Sequence, residues 1–397
     1  MRWSDPWRNP RQVSTHTGSR VAPRLDKCNF INIQQSHGIA AKGYQVTGLR
    51  TGYEGVLAHR TDDLFASSAR ANGKVVGLDE KSIRIEYEDG KVESIELGRR
   101  FGTSGGLTLP HSLVTQFKQG DEIKQGDIVA YNDGFFAPSF FNPKQVNWKA
   151  GVMATTALME AVYTLEDSSA ITEELAAELG TTTTKVKVVT VAFNQAVRGL
   201  VKPGDKVDLE SILCTIEDEV TARNDLFDDQ SLDTLRMLSA MTPRAKCVGV
   251  VEKVEIFYHG DTDDMSDSLR AIARQGDLER KKMSARMGEP AITGAVDQSF
   301  RIEGDGLNQN HMAIRIYISH NVGTGVGDKA VFANQMKTVF GHILKGPHET
   351  QTGVKLDAIF GFKSVQDRIV LSPMLIGTTN TLLRVIGEKA AQIYFEN

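Results

Sequence analysis

Cysteine is scarce in this chain. The three present, Cys28, Cys214 and Cys247, are odd in number, far apart and free of C-x-x-C spacing. This excludes a disulfide framework and a cysteine-built zinc site, and it fits a reducing cytoplasm. No apolar run approaches the roughly 18 residues of a membrane-crossing helix, and the opening "MRWSDPWRNPRQ" lacks the apolar centre of a secretory leader. The expectation is a soluble, intracellular chain. Charge imbalance is also small, a formal −4 over 397 residues, so contact with nucleic acid must come from local basic patches and not from a global positive field. The nine histidines form no H-E-x-x-H pair.

What is present is enough apolar sequence for substantial cores. With 40% hydrophobic and 24% charged residues, the length predicts two or three domains. Residues 1–42 are polar, carry Arg2, Arg8, Arg11, Arg20 and Arg24 among turn formers, and read as an extended segment lying on other structure. Residues 43–185 turn to short strands, with a small antiparallel unit over 43–100. There Ile83, Ile85 and Tyr87 alternate with charges before an Asp89-Gly90 hairpin turn. Thr172 reads as the N-cap of a short acidic helix ending at Gly180, which puts Glu166-Asp167 at a strand-to-helix junction. Residues 186–318 are mostly strands, interrupted near 262–288 by an acidic start and a basic amphipathic helical run that Gly276 would divide. Residues 319–397 return to strands and end in the helical "TLLRVIGEKAAQIYF". The fold class is mostly β with some helix, α+β.

Several familiar motifs fail on their surroundings. "GTSGG", residues 102–106, matches G-x-S-x-G but is followed by "LTLPHS" and not by a helix. "GTGVGDK" has Asp328 between Gly327 and Lys329, no Ser or Thr after the lysine, and a strand following, so it is no Walker motif. Gly-Asp recurs before short strands in "KQGDEIKQGDIVAY", "VKPGDKVDL" and "GVGDKAVF", which makes the triplet a turn device. Asp261, Asp263, Asp264 and Asp267 precede a helical run and lack calcium-loop glycine spacing, so they read as a solvated helix start.

Lys329 and Lys337 stand eight positions apart in "GDKAVFANQMKTVFG". In one continuous strand they would be separated by roughly 27 Å, too far to share one phosphate chain. Convergence needs a bend, which "FANQM" can supply with Asn334 and Gln335 at the turn. A converged lysine is worth about 4 kcal/mol against a unit charge about 4 Å away at an effective dielectric of roughly 20. Taken alone, the pair reads as solvated surface lysines, since spacing does not show convergence.

Taken in order, several stretches resemble the C-terminal half of the β subunit of multisubunit DNA-dependent RNA polymerases. The family pattern of GDK, seven variable residues and a second lysine is matched by "GDKAVFANQMKTV", with Asn334 where the family has a histidine. "VYTLEDSSAITEEL" is similar to the family's aromatic, Glu-Asp-Ser, apolar, Ser/Thr-Glu segment, and "KQGDIVAYNDGFF" to the strand leading toward it. "VKLDAIFGFKSVQDRIVLSPMLIGTTNTLL" resembles the stretch in which a short apolar strand ends in Asn-Pro before a Ser-Arg-Met-Asn turn. Here Ser372-Pro373 takes the place of Asn-Pro, and Thr378 or Thr379 that of the arginine. "HTGSRVAPRL" is similar to an arginine-bearing segment and would map Arg20 to a nucleotide-facing arginine. "VGVVEKVEIFYHGD" and "MAIRIYIS", flanking the helical run, resemble the flap over the RNA exit path. The span covered resembles the divided β subunits of giant bacteriophages.

The resemblance implies part of a double-psi β-barrel with an inserted flap at 186–318. It puts hybrid-binding and barrel elements in 43–185, with barrel completion in 319–397. It implies that Lys329 and Lys337 approach the RNA end and incoming nucleotide, that Glu166 and Asp167 lie near a triphosphate-bound Mg2+, and that Arg20 touches the triphosphate. The Mg2+ would be held mainly by an Asp triad of the D-F-D-G-D type on a partner β′ chain; no such pattern occurs here, so the chain alone would be inactive. Implied partners are the other β and β′ fragments, the DNA template, the RNA–DNA hybrid, nucleoside triphosphates and an initiation factor at the flap, in an infected bacterial cell and not at a membrane. Two other classes suit the composition: a non-enzymatic virion or assembly protein, and an RNA-binding protein built from small β-barrels.

Overall fold

A computed structural model describes residues 22–24, 40–104, 107–149, 151–218, 241–302, 304–333, 336–368 and 371–396. The chain is mostly β with a few helices, arranged in several antiparallel sheets and one mixed sheet; the described residues form no closed barrel. It divides into two compact units, Met1–Thr182 with Asn321–Asn397, and Thr183–His320.

One local device recurs in both units. At Gly120-Asp121, Gly126-Asp127, Gly204-Asp205 and Gly327-Asp328 the glycine adopts φ of 92, 85, 99 and 95°, the left-handed region that an L side chain resists. The aspartate carboxylate then accepts the backbone N–H three residues earlier, from Lys118, Lys124, Lys202 and Gly325, at 2.7, 2.9, 2.7 and 2.9 Å. Each glycine N–H donates to a neighbouring segment, at Val75, Ala69, Val251 and Phe340. The Gly-Asp pairs are therefore closed turns, and Asp328 is occupied by its own backbone.

In the first unit, Val92–Glu96, Ser82–Tyr87, Gly73–Leu78 and Glu122–Ile123 form a four-stranded antiparallel sheet in that order. The alternation read from sequence holds: Ile83, Ile85 and Tyr87 are buried, and Gly90 turns the hairpin at φ 76°. Strand Gly98–Ser104 pairs antiparallel with Leu107–Val114, so strand follows strand where a nucleophile elbow needs a helix. A second sheet of six strands runs Ala22–Arg24, Lys329–Phe332, Met336–Leu344, Ser168–Thr172, Ala358–Phe360 and Thr156–Leu158. It is mixed, with Ser168–Thr172 parallel to Met336–Leu344 and antiparallel to Ala358–Phe360. Thr172 ends its strand by accepting the N–H of Leu175 at 3.3 Å, capping helix Glu173–Glu178 as the sequence predicts. Leu175 and Leu179 pack with Ile171, Phe332, Phe340 and Phe360 in the core beneath this sheet. Each such side chain contributes roughly 1.5–3 kcal/mol on burial.

In the second unit, Gly249–His259 pairs antiparallel with the strand His311–Val322, from Val250 opposite Ser319 to His259 opposite His311. Helix Asp267–Met287 starts at Ser266, whose side chain accepts the Leu269 N–H, and stops at Gly288 with φ 69°. Gly276 does not divide it: a Cβ there would sit 3.1 Å from the Ile256 Cβ, so the glycine lets an unbroken helix press on the strand. Leu269 and Ala273 belong to the unit's core, with Val251, Ile314 and Ile316. The acidic start is used locally, Asp261 accepting the Asp263 N–H at 3.0 Å.

Across these strands Glu255 meets Lys253 at 2.7 Å, the Tyr317 hydroxyl at 2.8 Å and Arg315 at 3.6 Å. Burial alone would push its carboxyl up; the two cations and the hydroxyl outweigh it and hold it below the usual range. A carboxylate so held stabilises the fold above about pH 4.5, and the contribution is lost as pH falls through its folded value. Glu255→Gln should therefore lower the urea midpoint near neutral pH, with the gap to wild type closing in acid. A gap independent of pH would contradict this account of the network.

Candidate functional site

The two lysines lie on a hairpin. Strand Lys329–Phe332 pairs antiparallel with Met336–Leu344, Lys329 opposite Val339, Val331 opposite Lys337 and Phe332 opposite Met336. The chain reverses between Phe332 and Met336, with Ala333 at φ 48°; Asn334 and Gln335, assigned to this bend from sequence, lie outside the described residues. Directly opposite residues share a face, as do alternate ones, so Lys329, Val331, Lys337 and Val339 form one face. The other face carries Ala330, Phe332, Met336, Thr338 and Phe340, all buried. Both lysines are exposed and stand as diagonal neighbours, a relation of about 7–8 Å instead of the roughly 27 Å of an unbroken strand.

The acidic pair lies beside this hairpin. Glu166 and Asp167 precede strand Ser168–Thr172 and not a helix, which corrects the sequence expectation of a strand-to-helix junction; the helix starts one strand later. Both adopt left-handed backbone, φ 47 and 65°, a conformation that costs non-glycine residues roughly 1–2 kcal/mol each. The turn is held from three sides: Val339 N–H donates to the Asp167 carbonyl at 3.2 Å, Asp167 N–H to Ser364 Oγ at 3.3 Å, and Ser168 N–H to the Leu165 carbonyl. Because Val339 is also opposite Lys329, the acidic turn and the lysine face are joined through one residue.

Arg368 completes the connection, and sequence reasoning missed it. Its Nη2 lies 2.6 Å from Asp167 Oδ1 and donates to the Lys337 carbonyl at 3.0 Å. It follows the short apolar strand Ala358–Phe360 and helix Phe362–Asp367, whereas Thr378 and Thr379, the positions assigned to an arginine's place from sequence, lie in helix Ser372–Glu396. The available signal was a basic residue shortly after a strand of Ala-Ile-Phe. Asp167 stays half-exposed and Glu166 exposed, so both carboxylates remain open to solvent.

A glycine sits where the strands approach closely. The pairing of Ser168–Thr172 with Met336–Leu344 shifts register between Ser169 and Ala170, opposite Phe340 and His342, leaving Gly341 at the irregularity. A Cβ on Gly341 would fall on Ser168 Oγ. One residue on, His342 stacks on Tyr163 with ring centroids 4.9 Å apart.

Arg20 lies outside the described residues; beyond it, the backbone of Ala22–Arg24 pairs with Lys329–Phe332, Arg24 opposite Lys329. The cluster thus sets Lys329, Lys337 and Arg368 beside Glu166 and Asp167, an arrangement suited to a polyanion accompanied by a divalent cation. Among the described residues no group of three or more His, Cys, Asp or Glu could hold a metal ion. Glu166 and Asp167 therefore offer at most a partial set of ligands. No protein-family model matches the chain, and no curated protein matches it.

Gly341→Ala should displace the Ser168 hydroxyl, since the next atoms lie no closer than 3.5 Å, and cost about 0.5–1.5 kcal/mol in urea unfolding. Gly325→Ala, which meets open space without a left-handed φ, should be neutral or slightly stabilising. Equal effects would contradict the close approach at Ser168.

Proposed function

We propose that the chain is a C-terminal fragment of the β subunit of a multisubunit DNA-dependent RNA polymerase, of the divided kind found in giant bacteriophages. The observation that carries the reading is the meeting of Lys329 and Lys337 with Glu166-Asp167, a pair about 160 residues away in sequence, at one surface. The resemblance assigns these same four residues to one nucleotide-addition site. Chance likeness of separate short motifs gives no reason for them to be neighbours in space.

Nucleotide addition is phosphoryl transfer, in which positioning and charge neutralisation do most of the work. On this reading Lys329 and Lys337 neutralise charge at the RNA end and the incoming nucleotide. Arg368 precedes Ser372-Pro373, whereas the family's arginine follows Asn-Pro, so it does not take that arginine's place and is a further cation beside the acidic pair. It holds Asp167 against the lysine hairpin and offers a bidentate fork to a phosphate that draws it away. Glu166 and Asp167, held on a strained turn, face the ion that accompanies the triphosphate, and Arg20 is assigned to the triphosphate itself. Mg2+, when bound, supplies Lewis-acid stabilisation of the transferring phosphoryl group. The incomplete carboxylate set suits an ion held mainly by a partner β′ chain with an Asp triad, so the fragment is a polymerase subunit without activity alone.

The mixed sheet supports a double-psi β-barrel as the finer fold. Its parallel pairs join strands from before and after the intervening unit: Ser168–Thr172 with Met336–Leu344, and Thr156–Leu158 with Ala358–Phe360. The unit Thr183–His320 then corresponds to the flap, the surface for RNA exit and an initiation factor. DNA template and RNA–DNA hybrid would lie along the site unit, within an infected bacterium.

In the reconstituted polymerase, Lys329→Ala or Lys337→Ala should each slow nucleotide addition on the order of 100-fold while leaving subunit assembly intact. Single-turnover extension of a primed hybrid measures this. Full activity in both variants would overturn the assignment, as would recovery of the chain with virus particles and without any Asp-triad chain.

A further inference from the structure

Phe340 and Leu344 stand four positions apart on one strand yet pack in different cores. Phe340 lies with Phe332 and Phe360, and Leu344 with Ala170, Ile359 and the ring of Tyr163. In a regular strand, residues four apart share a face. The register shift beside Ser169 and Ala170 reverses the alternation between them. Ile343 therefore joins Phe340 beneath the sheet, and His342, opposite Ala170, comes out on the face that carries Lys337 and Val339. With regular alternation His342 would point into the core; irregularities of this kind re-aim side chains beside functional sites.

On that face the imidazole lies flat against Tyr163, the planes 13° from parallel. The two rings are not equivalent. Tyr163 backs onto Ala170, Leu344 and Ile359, whereas His342 is exposed, and among the described residues no second ring covers its outer side. Packing alone gives no reason to turn a polar ring out of the sheet and leave one side of it bare.

His342 is three residues past Val339, which is opposite Lys329 and bonded to Asp167, so the ring stands at most about 11 Å along the strand from the charged cluster. That span is roughly three nucleotide steps of about 3.4 Å each. Cations beside an exposed ring are the two parts of a single-strand binding surface, the charge following the backbone and the ring taking a base. We infer that the Tyr163–His342 stack is a platform for an unpaired nucleobase of the strand whose phosphates meet Lys329 and Lys337. The inference rests on the polymerase reading for the identity of that strand, and it adds a base contact to a face otherwise assigned only to phosphates and their ion.

The test measures binding of the purified full chain, by fluorescence anisotropy, to two probes: a short single-stranded RNA, and an abasic sugar-phosphate strand of the same length and charge. Wild type should prefer the base-bearing strand on the order of 10-fold. His342→Ala should lose that preference while binding the abasic strand as wild type does, and His342→Phe should keep it, since a flat ring remains. Lys337→Ala should weaken both probes alike. Because His342 is exposed, its variants should unfold at the wild-type midpoint. A wild type that binds both strands equally, or neither, overturns the platform, as does a preference that survives His342→Ala. A His342→Phe variant that fails as the alanine does overturns the stacking role and assigns the ring nitrogens instead. None of these outcomes involves catalysis: a failed platform beside lysine variants that still slow nucleotide addition leaves the polymerase reading standing.

Discussion

The parallel pairing of Ser168–Thr172 with Met336–Leu344 is the interaction on which the site depends. It joins segments about 170 residues apart, and the Val339 N–H to Asp167 carbonyl bond at its start fixes the acidic turn against the lysine hairpin. Its cost is visible in the left-handed Glu166-Asp167 backbone and the close approach of Gly341 to the Ser168 hydroxyl. Such strain persists only where surrounding contacts over-determine it. Here the Ser364 hydroxyl, the Val339 amide and the Arg368 guanidinium all hold the same turn.

Local features of the fold were legible in sequence, long-range ones much less so. The Asp89-Gly90 hairpin, the Thr172 cap and the Gly-Asp turns are decided by residues within three or four positions of each other, and the structure has them where the pattern put them. Gly276 was misread because its role is set by Ile256, twenty residues away on another element. The setting of Glu166-Asp167 was misread for a similar reason: a short strand between the pair and the helix is stabilised by Met336–Leu344 and Ala358–Phe360, not by its own sequence. The need for a bend between the lysines followed from strand geometry alone. The register that puts them on one face did not.

Arg368 shows how charge and backbone geometry combine. It is mostly buried, and its two contacts tie a carboxylate to a main-chain carbonyl of the lysine strand. Because Asp167 is half-exposed, the ion pair contributes little to stability, and its consequence is geometric: it fixes which atoms face solvent. The result is a surface that gathers Lys329, Lys337 and Arg368 with Glu166 and Asp167, Arg368 paired directly with Asp167. On the proposed reading, the described residues supply three cations for the anion and only a partial carboxylate set for the metal. That imbalance gives the account its direction toward a second polypeptide.

The most direct measurement is a structure of the assembled complex with a nucleoside triphosphate bound. The account predicts the ammonium groups of Lys329 and Lys337 within about 4 Å of phosphate oxygens of the nucleotide or the RNA end. It also predicts Glu166 and Asp167 facing the triphosphate-bound metal across from aspartates of the partner chain. A lysine hairpin turned to solvent, with the metal and triphosphate enclosed by other chains, would contradict it.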